Sequence, residues 1–260
     1  MDITVVNSRT SRSSVPARAE QAAAARAVPV DRRRGIFVVV ISVAAVLLII
    51  LPLGLWMAFQ RKPHWYSPVS PEPAVVKHTS NEFLKWADRI SDEMVRRRPF
   101  EIEISASEVT HFASAAPAMF PEEFSSWPPE ITDPAVTFEG GLIKVGFHCD
   151  YEGWRVIAVF HIEMTLLDAD TLHVRLDGIR GGALPVPQGW VRDVADPLLK
   201  RWQQKVDDLP TWLADLQSVD QLYEGMSIPN RFVWPNGKRR FRIDGISPQH
   251  GTLGVKIEPY

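Results

Sequence analysis

The sequence predicts an α+β protein: an N-terminal transmembrane helix, followed by an antiparallel curved sheet packed by amphipathic helices. Three observations lead there. Gly35 to Phe59, GIFVVVISVAAVLLIILPLGLWMAF, holds no charged residue. Much of the chain after position 134 alternates apolar and polar residues, the period of half-buried strands. The stretches near 79–98 and 188–217 instead place apolar residues every three or four positions, the period of one helix face. Helices segregate from a run of strands, the pattern of α+β rather than of alternating βα units.

Composition excludes several classes. The formal charge is −2 over 260 residues, so there is no basic footprint for nucleic acid. A single cysteine, Cys149, forbids an internal disulfide and a zinc site built on two thiolates. It reads as a small buried hydrophobe.

Residues 1–34 are rich in Ser, Ala and Arg and poor in large apolar side chains. Such a segment buries too little surface to offset its ordering entropy, so it reads as a disordered basic tail. Residues 35–59 are long enough to cross the roughly 30 Å hydrocarbon core as a helix. The span begins far from Met1 and lacks a small-residue cut site, which favours an uncleaved anchor over a signal peptide. Trp56, Trp65 and Tyr66 suit the interfacial belt. Arg18, Arg26, Arg32, Arg33 and Arg34 precede the span, whereas Arg61, Lys62 and Lys77 follow it. The bias puts the N-terminus in the cytoplasm, in a single-pass protein of the inner membrane. The C-terminal domain is then periplasmic or otherwise extracytoplasmic.

Residues 60–78 carry four prolines and read as an extended linker. The domain is expected over 79–260. Thr79 and Glu82 have capping-box spacing, and Phe83, Ala87, Ile90 and Met94 share a helix face. Pro99 stops that helix. PFEIEIS alternates as a strand over 99–105. Ser105 and Glu108 make a second capping box before a short helix, and 115–134 reads as an irregular packed loop. Strands are expected near 135–149, 154–166 and 171–179. A helical region over 188–217 follows, with Val191, Val194, Leu198 and Trp202 on one face. Asp196 and Pro197 mark a restart within it, and Pro210 a further break. Strands near 238–246 and 252–258, joined by SPQHG, complete the domain.

The richest chemistry lies in FHCDYEGWRVIAVFHIEMTLLDADTLHVRLD, residues 147–177. A four-residue turn at 150–153 sets Cys149 opposite Trp154, Phe147 opposite Val156 and Val145 opposite Ala158. A second hairpin sets Met164 opposite Val174, Ile162 opposite Leu176, Glu163 opposite Arg175 and His161 opposite Asp177. His148 falls at the rim beside Arg155. A metal needs three or four ligands converging at about 2.0–2.3 Å. This register brings a cation, Arg175, among the candidates, so no metal and no cofactor is expected. No HExxH, GxSxG, Walker or GxGxxG motif is present, and no nucleophile stands beside a base, so no catalytic residue is assigned.

One feature is left over. Ile157 and Val159 point the same way as Arg155 and His161, so 154–160 is apolar on both faces. One side packs helices; the other needs a cover, from the Pro- and Trp-rich loop of 115–134, from a partner or from an acyl chain. For the last of these, Ile157, Val159, Trp190, Val194, Leu198 and Trp202 are the candidate lining of a site for an apolar ligand.

The order of parts carries a resemblance. An anchor precedes EIEISASEVTHF; meandering strands follow, then GGALPVPQGW leads into an amphipathic helix, and a hairpin ends in GTLGVKIEP. Over 79–260 this resembles the single-pass bacterial envelope proteins of the YpmS-like type. It is loosely similar to tubular lipid-binding domains, which wrap a curved sheet around a helix. The resemblance implies a non-enzymatic envelope domain holding a lipid between sheet and helix. The alternative expectation is a structural or scaffold protein whose tethered domain contacts other membrane proteins. The partners expected are the lipid bilayer through Gly35–Phe59 and a lipid ligand or membrane protein.

Overall fold

A computed structural model describes residues 32–122, 124–125, 127–151, 153–204, 216–234 and 239–260. The expected tail, apart from 32–34, and the expected break at Pro210 lie outside them. The chain divides into two units, Met1–Leu53 and Gly54–Tyr260.

Helix α1 (Arg32–Phe59) starts three residues before Gly35, so Arg32 to Arg34 belong to the helix rather than to a tail. Its side chains are described from Val43 onward, and Leu48, Ile49 and Met57 are among those well exposed. Counting the described residues alone, no helix is both long and apolar enough to cross a membrane.

Helix α2 (Pro73–Arg96) begins six residues before the expected cap at Thr79. Pro73 supplies a preset φ at the first turn, where its missing N–H costs nothing. Thr79 is consequently buried in mid-helix, and Glu82 accepts from Lys85 at 2.7 Å instead of capping. The linker is thus shorter than expected, ending at Glu72. Arg97 in the left-handed conformation closes the helix before Pro99.

Strand β1 (Phe100–Ser105) leads into α3 (Ala106–Met119). The second capping box forms: Ser105 Oγ accepts from the Glu108 amide at 3.1 Å, and the Glu108 carboxylate accepts from the Ser105 amide at 2.7 Å. The Ala-rich stretch carries α3 to Met119, so part of the expected 115–134 loop is helix.

The expected strand at 135–149 is two strands, β2 (Ile131–Glu139) and β3 (Leu142–Tyr151). Between them Gly140 and Gly141 have φ of 62° and 81°. Two successive positive φ values make the hairpin turn whose twist matches its strands, and glycine adopts them without strain. Next come β4 (Trp154–Asp168), β5 (Thr171–Gly181) and the short β6 (Leu184–Pro185). They lead to α4 (Gln188–Gln203) and α5 (Val219–Glu224). The short strands β7 (Met226–Pro229) and β8 (Phe232–Val233) precede the final hairpin, β9 (Arg240–Gln249) and β10 (Thr252–Pro259). The turn of that hairpin is His250–Gly251, tighter than SPQHG.

The mixed α+β class holds, with antiparallel pairing throughout the described strands, but these form two sheets. One has the order β1-β10-β9-β8, the other β2-β3-β4-β5-β6 with β7 also on β5. Ile90 and Met94 of α2 pack with Ile257 against the first sheet. Leu176 and Ile179 pack with Val191 of α4 and Val219 of α5 against one face of the second.

Two details of the expected register change. The turn after β3 is two residues long, so Cys149 faces Val156, Phe147 faces Ala158 and Val145 faces Phe160. The displacement is an even number of residues, so every side chain keeps its expected face. In the next hairpin Met164, Ile162 and Glu163 meet Val174, Leu176 and Arg175 as expected. A bulge then puts His161 opposite Gly178, not Asp177.

The two sheets are joined by a residue that sequence reading passed over. Asn230 is fully buried. Its Nδ2 donates to Ala169 O at 3.0 Å and Ile243 O at 2.7 Å, and its Oδ1 accepts from the Ile243 amide at 2.9 Å. One side chain thereby ties the β4–β5 turn to β9.

Candidate functional site

What covers Ile157 and Val159 is the chain's own linker. Ala135, Gly146 and Val159 lie side by side across β2, β3 and β4. Three small or β-branched residues in a row leave a flat lane in the sheet. Tyr66 lies on it, 1% exposed, clustered with Ala135, Ile157 and Val159, and Trp65 packs against the same group. A methyl group at Gly146 would come within 2.8 Å of Tyr66 Cδ2 and 3.1 Å of Trp65 Cη2. The absence of a side chain at Gly146 is therefore what lets the two rings reach the strand.

Polar contacts hold the ring in place. Tyr66 donates its hydroxyl proton to Asp133 O at 2.6 Å. Asp133 has φ 53°, a left-handed conformation that Asp tolerates, where the β2–β3 register shifts. The Asp133 carboxylate lies 2.9 Å from His148 Nδ1, and the His148 ring meets Tyr66 edge-on at 5.5 Å. Lys62 Nζ stands 5.7 Å from the centre of the Tyr66 ring. Burial, then the Asp133 charge, pushes the phenol well above its ordinary pKa, so it stays a hydrogen-bond donor. Trp65 and Tyr66 thus belong to the domain core rather than to an interfacial belt.

A second contact lies beside this one. The last turn of α1 belongs to the same unit as the sheets. Ala183 donates its amide to Ala58 O at 3.0 Å. Added methyl groups at Gly181 and Gly182 would both collide with Phe59. The chain is therefore pinned to the second sheet at both ends of a short segment, at Ala58–Phe59 and at Trp65–Tyr66.

Of the six candidate lining residues, the four whose side chains are described do not share one wall. Ile157 and Val159 are 7% and 2% exposed beneath Tyr66. Trp190 and Val194 sit on α4, which packs on the other face of the sheet, and are 67% and 42% exposed. The buried side of α4 is Val191 with Ala195, one position round from the expected Val191–Val194 face. Leu198 and Trp202 fall within α4, but their side chains lie outside the described residues. The helix runs through Pro197 without a restart. The Asp196 carboxylate is used elsewhere, accepting from the Val219 amide at 2.8 Å and from Ser218 Oγ, at the start of α5.

The polar side of β4 and β5 is a set of cross-strand pairs. Arg175 donates to Glu163 at 2.5 and 2.9 Å. His161 is held neutral, its pKa lowered by burial and then by Lys144 and Arg180. Burial pushes the Cys149 thiol up, away from the thiolate a nucleophile needs. Among the described residues, no three His, Cys, Asp or Glu side chains converge on a common point.

Two signals could have located the seat. A Trp-Tyr pair is more apolar bulk than a spacer needs, and a lone glycine inside a strand pattern marks close approach of another group. Asn230 had no such signal, because its partners are backbone groups distant in the chain. Comparison with known protein families, curated proteins and solved structures gave no match.

Proposed function

We propose that this chain is a single-pass inner-membrane protein whose extracytoplasmic domain is a non-enzymatic scaffold, clamped to the exit of its own anchor. The observation that carries it is the seating of Tyr66, 1% exposed, over Ala135, Gly146 and Val159. A domain meant to range freely needs a solvated linker; here the linker is part of the core. With the Ala58–Ala183 hydrogen bond, the domain is fixed within a few residues of the helix end. The exposed aliphatic side chains of α1, lacking a polar stripe from Val43 to Phe59, support its use as the anchor.

The resemblance to YpmS-like and tubular lipid-binding domains suggested a lipid between sheet and helix. That reading has less support. One candidate wall is covered by Tyr66, and on the other face Leu176, Ile179 and Val191 pack directly together. Lipid extraction and mass spectrometry of the detergent-purified chain separates the two: scaffolding predicts no stoichiometric lipid, and recovery of one lipid per chain overturns it. A periplasm-active reporter fused after Tyr260 tests the topology and should be active; a silent one reverses it.

A further inference from the structure

The outer strand of an open sheet carries unpaired backbone groups, and most outer strands of this domain are blunted. In β2, Pro134 and a register shift between Thr132 and Ala135 interrupt the edge. Thr110 of α3 also accepts from the Val136 amide at 2.9 Å. β8 and β6 have two residues each, and β6 ends in Pro185. β7 has four and ends in Pro229. Proline, bulges and short length are the usual devices that keep an edge from recruiting another strand. β1, the outer strand of the first sheet, has none of them. Its six residues contain no proline and pair with β10 in unbroken register, from Phe100 with Ile257 to Ser105 with Thr252.

That register identifies the groups that face outward. Ala106 donates its amide to Gly251 O at 2.8 Å, one step beyond the Ser105–Thr252 pair. Bonded pairs recur at every second residue of an antiparallel ladder, so Ile104, Ile102 and Phe100 turn their backbone groups toward β10. Glu101, Glu103 and Ser105 turn theirs away from it. The Ser105 amide is taken by the capping box. The amides and carbonyls of Glu101 and Glu103 have no partner among the described residues. Their side chains are exposed on one face, and neither carboxylate forms an ion pair among the described residues, even with Lys256 opposite Glu101. Arg97 and Arg98 precede Pro99 and lie ahead of the strand, so the edge itself is negative.

We propose that β1 is a docking strand for an extended basic segment of a partner protein, which adds to the four-stranded sheet as a fifth strand. The backbone groups of Glu101 and Glu103 exchange hydrogen bonds with two partner residues. The side chains of those two residues share a face with the carboxylates, which selects Lys or Arg there. The partner residues between them fall on the side of Phe100 and Ile102, which pack toward α2, and β-branched apolar side chains suit that side. A second copy of β1 is a poor occupant, because antiparallel pairing of two copies sets Glu against Glu. The edge is independent of the anchor and of the scaffold reading, so recovery of a lipid with the purified chain would leave it standing.

The test titrates the detergent-purified full chain into a fluorescein-labelled peptide, Thr-Lys-Val-Lys-Val-Thr, and reads anisotropy. Two further peptides carry N-methyl groups, one on both lysines and one on both valines. The first loses the amide donors that face β1; the second loses those that face away from it. The expected result is saturable binding of the basic peptide and none of Thr-Glu-Val-Glu-Val-Thr. Methylation at the lysines should weaken binding roughly tenfold or more, the loss of two backbone hydrogen bonds, and methylation at the valines should change it little. Glu101→Lys combined with Glu103→Lys, checked for folding by circular dichroism, should exchange the preference between the basic and acidic peptides. Absence of saturable binding overturns the docking strand. Equal effects of the two methylations, or no effect of either, mean a charge contact without an added strand, which also overturns it. A preference for the basic peptide that survives the charge reversal puts the binding elsewhere on the chain. A dimer in sedimentation that excludes the peptide, and dissociates in the reversed variant, gives the edge to a second copy instead.

Discussion

Three residues tie long-range structure to single atoms, and each makes a measurable claim. Gly146 matters because Tyr66 occupies the space a side chain would take. Gly146→Val should eject the ring and destabilise the domain by about 1–3 kcal/mol, the usual cost of overpacking. Tyr66→Ala should cost about 3–5 kcal/mol, as truncations of buried aromatics do. Tyr66→Phe, which loses only the bond to Asp133 O, should cost about 1 kcal/mol. Urea midpoints of the detergent-purified chain would order these variants, and a Tyr66→Phe loss equal to that of Tyr66→Ala would mean the apolar seating counts for little. Asn230 is legible in the sequence only as a polar residue near a proline, yet it carries three side-chain hydrogen bonds in full burial. Asn230→Ala leaves backbone groups of the β4–β5 turn and β9 unpaired. A loss of about 2–3 kcal/mol is expected in the same titration.

His161 sets a pH dependence. Its pKa is lowered in the folded state by burial, then by Lys144 and Arg180. The unfolded chain therefore binds this proton first, beginning near the ordinary histidine value of about 6.5. Stability is complete above that value and declines as pH falls below it. The urea midpoint should drop on acidification, and His161→Gln should flatten the drop. An unchanged slope in the variant would assign the effect to another group.

At the scale of elements, local signals succeeded where the physics is local. The Ser105–Glu108 box involves atoms three residues apart, and it forms as spacing predicts. Ser105→Ala should cost about 1 kcal/mol in the same measurement. Thr79 and Glu82 have an equivalent spacing but lie inside a helix that had already started at Pro73. A capping pattern works only where the chain arrives extended, and the proline supplied an earlier start. The β3–β4 turn shows a similar limit. Alternation settled which side chains share a face, but the exact partner depended on a turn two residues shorter than expected. The bulge opposite His161 has no alternation signature and separates a histidine and an aspartate that sequence placed together.

At the scale of the whole molecule, the clamp predicts behaviour that a free tether would not show. Arg61 and Lys62 are exposed, so a mobile linker would be cut there by trypsin at once. Pinned at Ala58–Phe59 and Trp65–Tyr66, the segment should be cut slowly in the native chain and rapidly in Tyr66→Ala. Time courses read by mass spectrometry would show it, and equal rates would contradict the clamp.

The sequence by itself determined the α+β class, the apolar stretch 35–59, most strand positions and the face each side chain takes along β3 and β4. All of these depend on periodicity or on charge within a short window. It also isolated the right question, an uncovered apolar face at Ile157 and Val159. Only the tertiary structure decided the cover, because Tyr66 meets Val159 across more than ninety residues of chain. The division into two sheets was decided in the same way, since β1 finds its partner in β10 at the far end of the sequence. Such pairings depend on which surfaces fit together after the chain has closed on itself, and neither spacing nor composition records that fit.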